Sequence, residues 1–424
     1  MTTPCRLGGL LLLLLLGAVA VAIAASHPAN EFCAAAGGGA GCGGGGDGAR
    51  ILIKGGTVVN AHRAEEADVY IEDGVVIAVR PNIRVGDDNV KVIDATGKFV
   101  MPGGIDPHTH LEMEFMGTVT IDDFFSGHAA ALAGGTTMHI DFVIPVNGNL
   151  TAGLESYKQK AEKSAMDYGF HMAITKWNDD VSREMESMVK DHGQKVIGEP
   201  VVSGLVLNDS WLWDPDFTIA SKYVMSPPIR QAGHNKALQL ALSSGVLPLV
   251  GTDHCTFNST QKAFGFDDFR KIPNGVNGIE ERMHIIWDSM AETGQISGTD
   301  YVRVTSTECA KIFNIYPRKG AILEGSDADM IILNPKRSFV MGAHTHHSRS
   351  NTNVYEGRKG KGMVEVTISR GRVVWEDGIL NIVPGSGRYI RTPPFGYLFD
   401  GTEKSDAAYR ASLRAPVQRG KASA

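Results

Sequence analysis

The spacing of apolar residues divides the chain into parts with two different patterns. Near both ends of the folded part, apolar side chains alternate or cluster between glycines, which is typical of short β-strands. These stretches cover residues 51–59, 67–79, 328–333 and 363–375. Within the second stretch, the pair Asp73-Gly74 predicts a hairpin turn. The simplest arrangement is one β-sandwich assembled from both chain ends.

The middle of the chain alternates segments that are typical of buried strands with stretches of helical periodicity. The predicted strands cover residues 136–143, 170–175, 195–199 and 247–253. The helical stretches cover residues 121–133, 154–167, 182–192 and 235–244. Strands that alternate with helices indicate a parallel β/α fold, and the functional residues of a barrel gather at the carboxyl ends of its strands. We therefore predict an α/β protein with a parallel barrel beside the β-sandwich.

Two histidines stand at the end of an extended apolar segment. His108 and His110 follow a β-rich run and a Pro-Gly-Gly turn. Because side chains alternate along a strand, both imidazoles point the same way and can bind one metal ion. A second pair, His344 and His346, lies in a polar run that is typical of a surface loop, where we expect no metal.

A carboxylate occupies the equivalent place on another predicted strand. Asp253 ends the apolar run 247–253, so it is expected at the same rim of the barrel as the two histidines. A helix N-cap is the alternative role for an aspartate that follows a strand. The rim position favours a metal ligand.

Charge and cysteine content exclude several classes of protein. The chain of 424 residues carries a net charge of −6 and has a pI near 6.2, without a basic stripe, so nucleic acid is not an expected partner. Five cysteines are too few and too scattered for a disulfide framework. An apolar content of 43% is ordinary for a globular protein.

The amino-terminal residues have the composition of a leader. Residues 1–25 contain a short basic start, an apolar run and a small-residue end, which is typical of a secretory signal, with an uncleaved membrane anchor as the alternative. Residues 26–49 form a Gly-rich linker. Glycosylation sequons begin at Asn149, Asn208 and Asn258. We therefore expect a glycoprotein of the secretory pathway, in the endoplasmic reticulum or secreted, with no stable membrane span after cleavage.

Several motifs together resemble the hydantoinase/dihydropyrimidinase family of the amidohydrolase superfamily. They occupy residues 102–110, 133–137, 226–230, 251–257, 275–282 and 325–329. The resemblance implies a (β/α)8 barrel with a β-sandwich built from both termini. The implied domains are a first sandwich part at residues 50–101, a metal-dependent hydrolase barrel at 102–318, a second sandwich part at 319–395 and a carboxyl-terminal arm at 396–424.

The resemblance also implies the chemistry. Members of the family open cyclic amides by hydrolysis at two zinc ions bridged by a carbamylated lysine and a hydroxide. For this chain it implies ring opening of 5,6-dihydrouracil and dihydrothymine to N-carbamoyl-β-amino acids, as in pyrimidine catabolism, with hydantoinase or allantoinase activity as the alternative. The implied metal ligands are His108, His110 and Asp253. Asp253 would also act as general base and then general acid, while Ser226 and Asn277 would hold the imide edge of the substrate through their backbone groups. A homotetramer is implied as well.

The chain departs from the family pattern where Gly193 meets Gln194. About a hundred residues of that pattern, the size of roughly three βα units, are absent there. The bridging lysine, two histidine ligands and a substrate-contacting tyrosine are lost with them. The ligands that remain can hold one zinc ion with water in the fourth position, but not a bridged pair. We therefore expect an incomplete barrel with at most one zinc ion, and either a hydrolase that the missing ligands leave inactive or a non-catalytic role as a variant subunit or assembly protein.

Overall fold

The computed structural model describes residues 50–86, 89–147, 149–173 and 197–393. All of them belong to one unit that spans Gly43–Ala424. Five sequence predictions lie outside the described residues: the leader, the Gly-rich linker, the helix at 182–192, the Gly193–Gln194 junction and the carboxyl-terminal arm. Within the described ranges, no helix is long and apolar enough to cross a membrane.

The described chain begins with five strands. They are β1 (Arg50–Asn60), β2 (Arg63–Glu72), β3 (Val75–Arg80), β4 (Lys91–Asp94) and β5 (Phe99–Pro102). β1, β2 and β3 pair as antiparallel hairpins. Asp73 and Gly74, between β2 and β3, have φ values of 51° and 79°. Both are in the left-handed region that a tight two-residue hairpin turn requires, so the predicted turn is confirmed.

The next part alternates strands with helices. Its elements are β6 (Gly104–Thr109), β7 (Glu114–Phe115), β8 (Thr118–Val119), α1 (Phe124–Ala133), β9 (Thr136–Val143), α2 (Leu150–Lys160) and β10 (Asp167–Met172). β6, β9 and β10 form a parallel sheet in the order β10-β9-β6, and β7 and β8 form a small ribbon. Asp123 is the N-cap of α1, and its carboxylate accepts hydrogen bonds from two backbone N–H groups of the first turn. This parallel β/α arrangement confirms the predicted fold class.

The chain after residue 197 consists largely of short helices. They are α3 (Val202–Val206), α4 (Phe217–Lys222), α5 (His234–Ser243), α6 (Ser259–Lys262), α7 (Arg282–Ile286), α8 (Gly298–Val302) and α9 (Glu308–Ile312). The strand predicted at 247–253 is wrong, because this segment makes only single parallel bridges, such as Gly251 to Val201. The next bridges of the same segment join His254 to Thr109 and to Val276. A regular ladder is interrupted here since Asp253 adopts a φ of 54°, outside the extended region.

Both chain ends meet in one large sheet. The last strands are β11 (Met330–Val340), β12 (Lys359–Ser369), β13 (Arg372–Glu376) and β14 (Ile379–Leu380). They join the first five strands in a nine-stranded sheet of order β14-β13-β12-β11-β5-β1-β2-β3, with β4 paired to β1. β5 contacts β1 on one side and β11 on the other. Apolar residues from both ends share its core, among them Ile53, Val69, Val100, Ile332 and Ile368. The prediction that both chain ends combine is therefore confirmed, but their strands form one continuous nine-stranded sheet where a β-sandwich was expected.

Candidate metal centre

β6 carries two histidines to the carboxyl edge of the parallel sheet. His108 is its second-last residue, and His110 follows directly after its end. Asp253 reaches the same place from the neighbouring segment, where its N–H donates to the carbonyl oxygen of His108 at 2.9 Å. The left-handed backbone of Asp253 is a strained conformation of the kind that clusters at functional sites.

Three side-chain atoms converge at this edge. His108 Nε2 lies 3.2 Å from His110 Nε2 and 3.3 Å from Asp253 Oδ1, and His110 Nε2 lies 3.0 Å from Asp253 Oδ1. Ligand atoms around a tetrahedral zinc ion with bonds of about 2.0–2.1 Å are about 3.3 Å apart. The three atoms therefore fit three corners of a zinc site. The side chains are 12–26% exposed, so solvent can reach the fourth corner.

The charges around the cluster favour a cation at its centre. Burial alone lowers the pKa of His108, but hydrogen bonds to Asp253 and Glu199 outweigh that effect and raise it to about 10. Burial alone raises the pKa of Asp253, but the two imidazoles outweigh it and lower the value to about 2. A metal cation bound by neutral imidazoles provides the same positive charge as the proton that this balance favours.

Glu199 is a site residue that sequence reasoning missed. Its Oε1 lies 2.9 Å from His108 Nδ1, on the opposite side of the ring from the cluster. A carboxylate in this place fixes the orientation and tautomer of a metal-binding histidine. A Cβ atom at Gly251 would lie 2.6 Å from Glu199 Oε1, so glycine leaves room for the contact. The available signal was a carboxylate at the carboxyl end of the predicted run 195–199.

An aromatic wall supports the two histidines. The ring of Phe142, from β9, lies 4.4 Å from the ring of His108 and 5.4 Å from that of His110, measured between centroids. On β10, His171 stacks on Phe142 at 4.5 Å and donates from Nε2 to the carbonyl oxygen of Pro107 at 2.7 Å. Neighbouring strands therefore restrict the rotation of both imidazoles.

A buried carboxylate joins the two ligand-bearing segments. Asp106, fully buried within β6, accepts hydrogen bonds from the Thr252 hydroxyl at 2.5 Å and from the Thr252 N–H at 3.1 Å. Its Oδ1 also accepts from the N–H of His108 at 3.2 Å. The Asp106 side chain thus holds both Thr252, which precedes Asp253, and the backbone of His108. These contacts set the spacing of the candidate ligands.

Asn277, predicted to hold substrate, lies in a segment that pairs with the residue after Asp253 through a single parallel β-bridge. Val276 pairs with His254, and the Asn277 side chain is buried. Its Nδ2 donates to Glu281 Oε1 at 2.7 Å, and its Oδ1 accepts from the N–H of Val354 at 2.9 Å. Both ends of the side chain are therefore engaged within the protein.

Ser226, the other predicted substrate-binding residue, is exposed. It follows Val224, whose carbonyl oxygen accepts from the N–H of Gly275 at 2.9 Å. The segments that lead to Ser226 and Asn277 are therefore neighbours. Within the described ranges, no hydrogen bond joins Ser226 to the three metal-ligand candidates, so its role stays a prediction.

His344 and His346, the second pair of histidines, lie in different environments. His346 Nε2 donates to the carbonyl oxygen of Ser350 at 2.7 Å, and the side chain of His344 is 74% exposed. Among the described residues, another group with metal-ligand spacing is the carboxylate cluster of Asp167, Asp327 and Asp329. The ammonium of Lys319 occupies its centre, 2.6 Å from Asp167 and 3.0 Å from Asp327. That cluster is an ion-pair network.

Known proteins are similar to this chain over most of its length. A model described as "Amidohydrolase family" matches residues 221–374. A dihydropyrimidinase of Arabidopsis thaliana is 57% identical, with 93% of this chain and 95% of that protein covered. A rat dihydropyrimidinase is 35% identical, with 82% and 89% covered. The crystal structure of a Brevibacillus agri dihydropyrimidinase is 32% identical and superimposes with a TM-score of 0.75, over 81% of this chain and 98% of that one.

The alignment with the plant protein spans 506 positions, which exceeds the 424 residues of this chain. The relative therefore contains residues that have no counterpart here. This agrees with the expectation that part of the barrel is absent.

The comparisons overturn the expected location in the secretory pathway. That expectation rested only on the composition of residues 1–25, and not on the motifs that indicate the enzyme family. A leader is recognised by composition alone, so any apolar run that is followed by small residues resembles one. The error has this origin. The predicted signal peptide and glycosylation find no support either.

Proposed function

Because the chain belongs to the dihydropyrimidinase family of amidohydrolases, we propose that it is a zinc-dependent hydrolase whose substrates are 5,6-dihydrouracil and dihydrothymine. Hydrolysis of these cyclic amides yields N-carbamoyl-β-amino acids. The observation that carries the proposal is the convergence of His108, His110 and Asp253, whose ligand atoms lie 3.0–3.3 Å apart.

The donor set suits one zinc ion. Two imidazoles and one carboxylate are the ligand types of catalytic zinc sites that keep a fourth position for water. A zinc ion held by these residues supplies Lewis acidity and lowers the pKa of water towards 7. Glu199 holds the first histidine from behind, as expected for a ligand that must keep one orientation.

The side chains divide the remaining work of the reaction. Asp253 accepts a proton from the attacking water and delivers it to the ring nitrogen as the carbon–nitrogen bond breaks. The backbone groups of Ser226 and Asn277 hold the imide edge of the ring. The engaged side chain of Asn277 supports this role, because its contacts with Glu281 and Val354 fix the backbone at that position.

A second candidate function is that of a non-catalytic variant subunit. Two observations favour it: the described sheet has three regular parallel strands, and the plant relative has residues that this chain lacks. Such a subunit would associate with copies of itself or of a longer relative. We propose a homo-oligomer, with four chains as the expected number, and light scattering of the purified chain tests it.

Hydrolysis by the purified chain tests the proposed function. The chain is supplied with zinc and bicarbonate, and loss of 5,6-dihydrouracil is followed beside hydantoin and allantoin as competing substrates. We expect turnover of dihydrouracil that disappears after chelation and in Asp253→Asn. A folded, zinc-loaded chain without turnover would refute the proposed activity and support the non-catalytic subunit. Faster turnover of hydantoin or allantoin would reassign the substrate.

A further inference from the structure

One buried lysine touches three carbonyl groups beside the candidate site. Lys262 ends α6, and 1% of its surface is exposed. Its Nζ donates to the carbonyl oxygens of Val224 at 2.8 Å, Pro273 at 2.7 Å and Gly275 at 2.9 Å. An ammonium has three N–H donors and no acceptor, so its capacity is used completely.

The environment of this ammonium is unusual for a buried charge. Among the described residues, no carboxylate forms an ion pair with Lys262, and the nearest aromatic ring, that of Phe257, has its centroid 5.7 Å from Nζ. Burial lowers the pKa of Lys262 to about 7. Because transfer of a charge out of water is unfavourable, the three hydrogen bonds have to compensate for the burial of this ammonium.

The three carbonyl groups belong to the two segments that carry the proposed substrate-binding residues. Val224 precedes Ser226 by two residues, and Gly275 precedes Asn277 by two. The segments also share the hydrogen bond from the N–H of Gly275 to Val224, whose oxygen therefore accepts twice. Lys262 joins both segments at the point where they approach each other.

We propose that Lys262 is a positioning residue, which holds the backbone of Ser226 and Asn277 at the spacing that an imide edge requires. This inference rests on the proposed function for the identity of the ligand. The hydrogen bonds of Lys262 go to main-chain carbonyl groups and not to the three metal-ligand candidates. It acts through the carbonyl groups of the two segments.

Deuterium exchange and binding of zinc and 5,6-dihydrouracil test the proposal. Lys262→Met removes the three donors with little change in length, Lys262→Gln keeps two N–H donors, and Lys271→Met is the control at an exposed lysine. We expect Lys262→Met to speed exchange in peptides that cover 222–230 and 272–278. We expect it to weaken binding of dihydrouracil by about 10- to 100-fold while zinc affinity stays within about twofold. Lys262→Gln should fall between the wild type and Lys262→Met, and it serves alone where the methionine variant does not fold.

The outcomes separate this inference from the proposed function. Unchanged exchange in both peptides, or faster exchange spread over the whole chain together with a parallel loss of zinc affinity, would overturn the positioning role. Failure of the wild-type chain to bind dihydrouracil would contradict the proposed substrate. The exchange measurement would still decide what Lys262 holds in place.

Discussion

A chain of buried side chains behind the metal-ligand strand leads to a prediction about acid stability. His128 Nδ1 accepts from the N–H of Ala165 at 3.0 Å, so its proton is on Nε2 and is donated to His139 Nε2 at 2.7 Å. His139 Nδ1 then donates to the Thr109 hydroxyl at 2.7 Å, which donates to Asp141 at 2.6 Å. Each imidazole is therefore neutral, with both nitrogens occupied. Burial lowers the pKa of His128 to about 3 and that of His139 well below 6.5.

The magnitude follows from the difference between the folded and unfolded pKa values. An exposed histidine titrates near 6.5. On acidification, His128 and His139 therefore bind protons in the unfolded chain but stay neutral in the folded chain. Stability from this source is complete above pH 6.5 and is lost as the pH falls towards the folded values. Between pH 7.5 and 5.5 each histidine lowers the free energy of unfolding by about 1.4 kcal/mol. His254 and His347, whose pKa values are raised because hydrogen bonds to Asp122 and Glu280 outweigh burial, act in the opposite direction.

The measurement is therefore the change in pH dependence on substitution. Urea unfolding of the chain in a chelator is compared at pH 7.5 and 5.5 for the wild type, His128→Asn, and His62→Asn at an exposed turn. We expect His128→Asn to lose about 1.4 kcal/mol less than the wild type between these pH values, and His62→Asn to match the wild type. Equal losses in His128→Asn and the wild type would show that His128 binds a proton in the folded state, which refutes the assigned tautomers.

Three further predictions concern single contacts. Lys319→Met removes the buried cation that Asp167, Asp327 and Asp329 share and should lower the free energy of unfolding by about 3–5 kcal/mol, against almost no change for the exposed Lys271→Met; a loss below about 1 kcal/mol would contradict the network. Glu199→Gln should weaken zinc binding about 10- to 100-fold in a competition titration, and unchanged affinity would exclude a supporting role. Gly134→Ala places a Cβ 2.2 Å from a main-chain oxygen and should lower the thermal midpoint, unlike Gly86→Ala, which meets nothing within 4 Å; equal midpoints would contradict the close packing.

Local patterns were sufficient for much of the fold. The strand predicted at 136–143 coincides with β9, Thr136–Val143, because Met138, Ile140 and Phe142 recur at every second position, which is the period of a strand. The helix predicted at 154–167 is found at Leu150–Lys160. Its end was misplaced because Ala165 and Met166, which extend the apolar periodicity, are buried in the turn that leads into β10.

The residues that sequence reasoning missed depend on contacts between distant positions. Glu199 meets a histidine 91 positions earlier in the chain, and Lys262 meets a carbonyl group 38 positions away. His128 and His139 belong to different elements, and their nitrogens are paired only after α1 packs on β9. A single sequence shows the residue types but not these pairings. The His108 and His110 pair was accessible because both ligands lie on one strand.

The position of the metal-ligand candidates suggests that metal binding and catalysis are separable in this chain. All three come from β6 and the segment beside it, which Asp106 and main-chain hydrogen bonds hold together. The part of the family pattern that is absent would follow β10, on the far side of β9 from these ligands. The exposed edge at the start of β10 has a substitute partner, because Tyr168 exchanges two hydrogen bonds with Arg388 and Ile390. The proposed zinc site therefore rests on contacts that the chain retains, so a zinc-binding measurement tests the site independently of turnover.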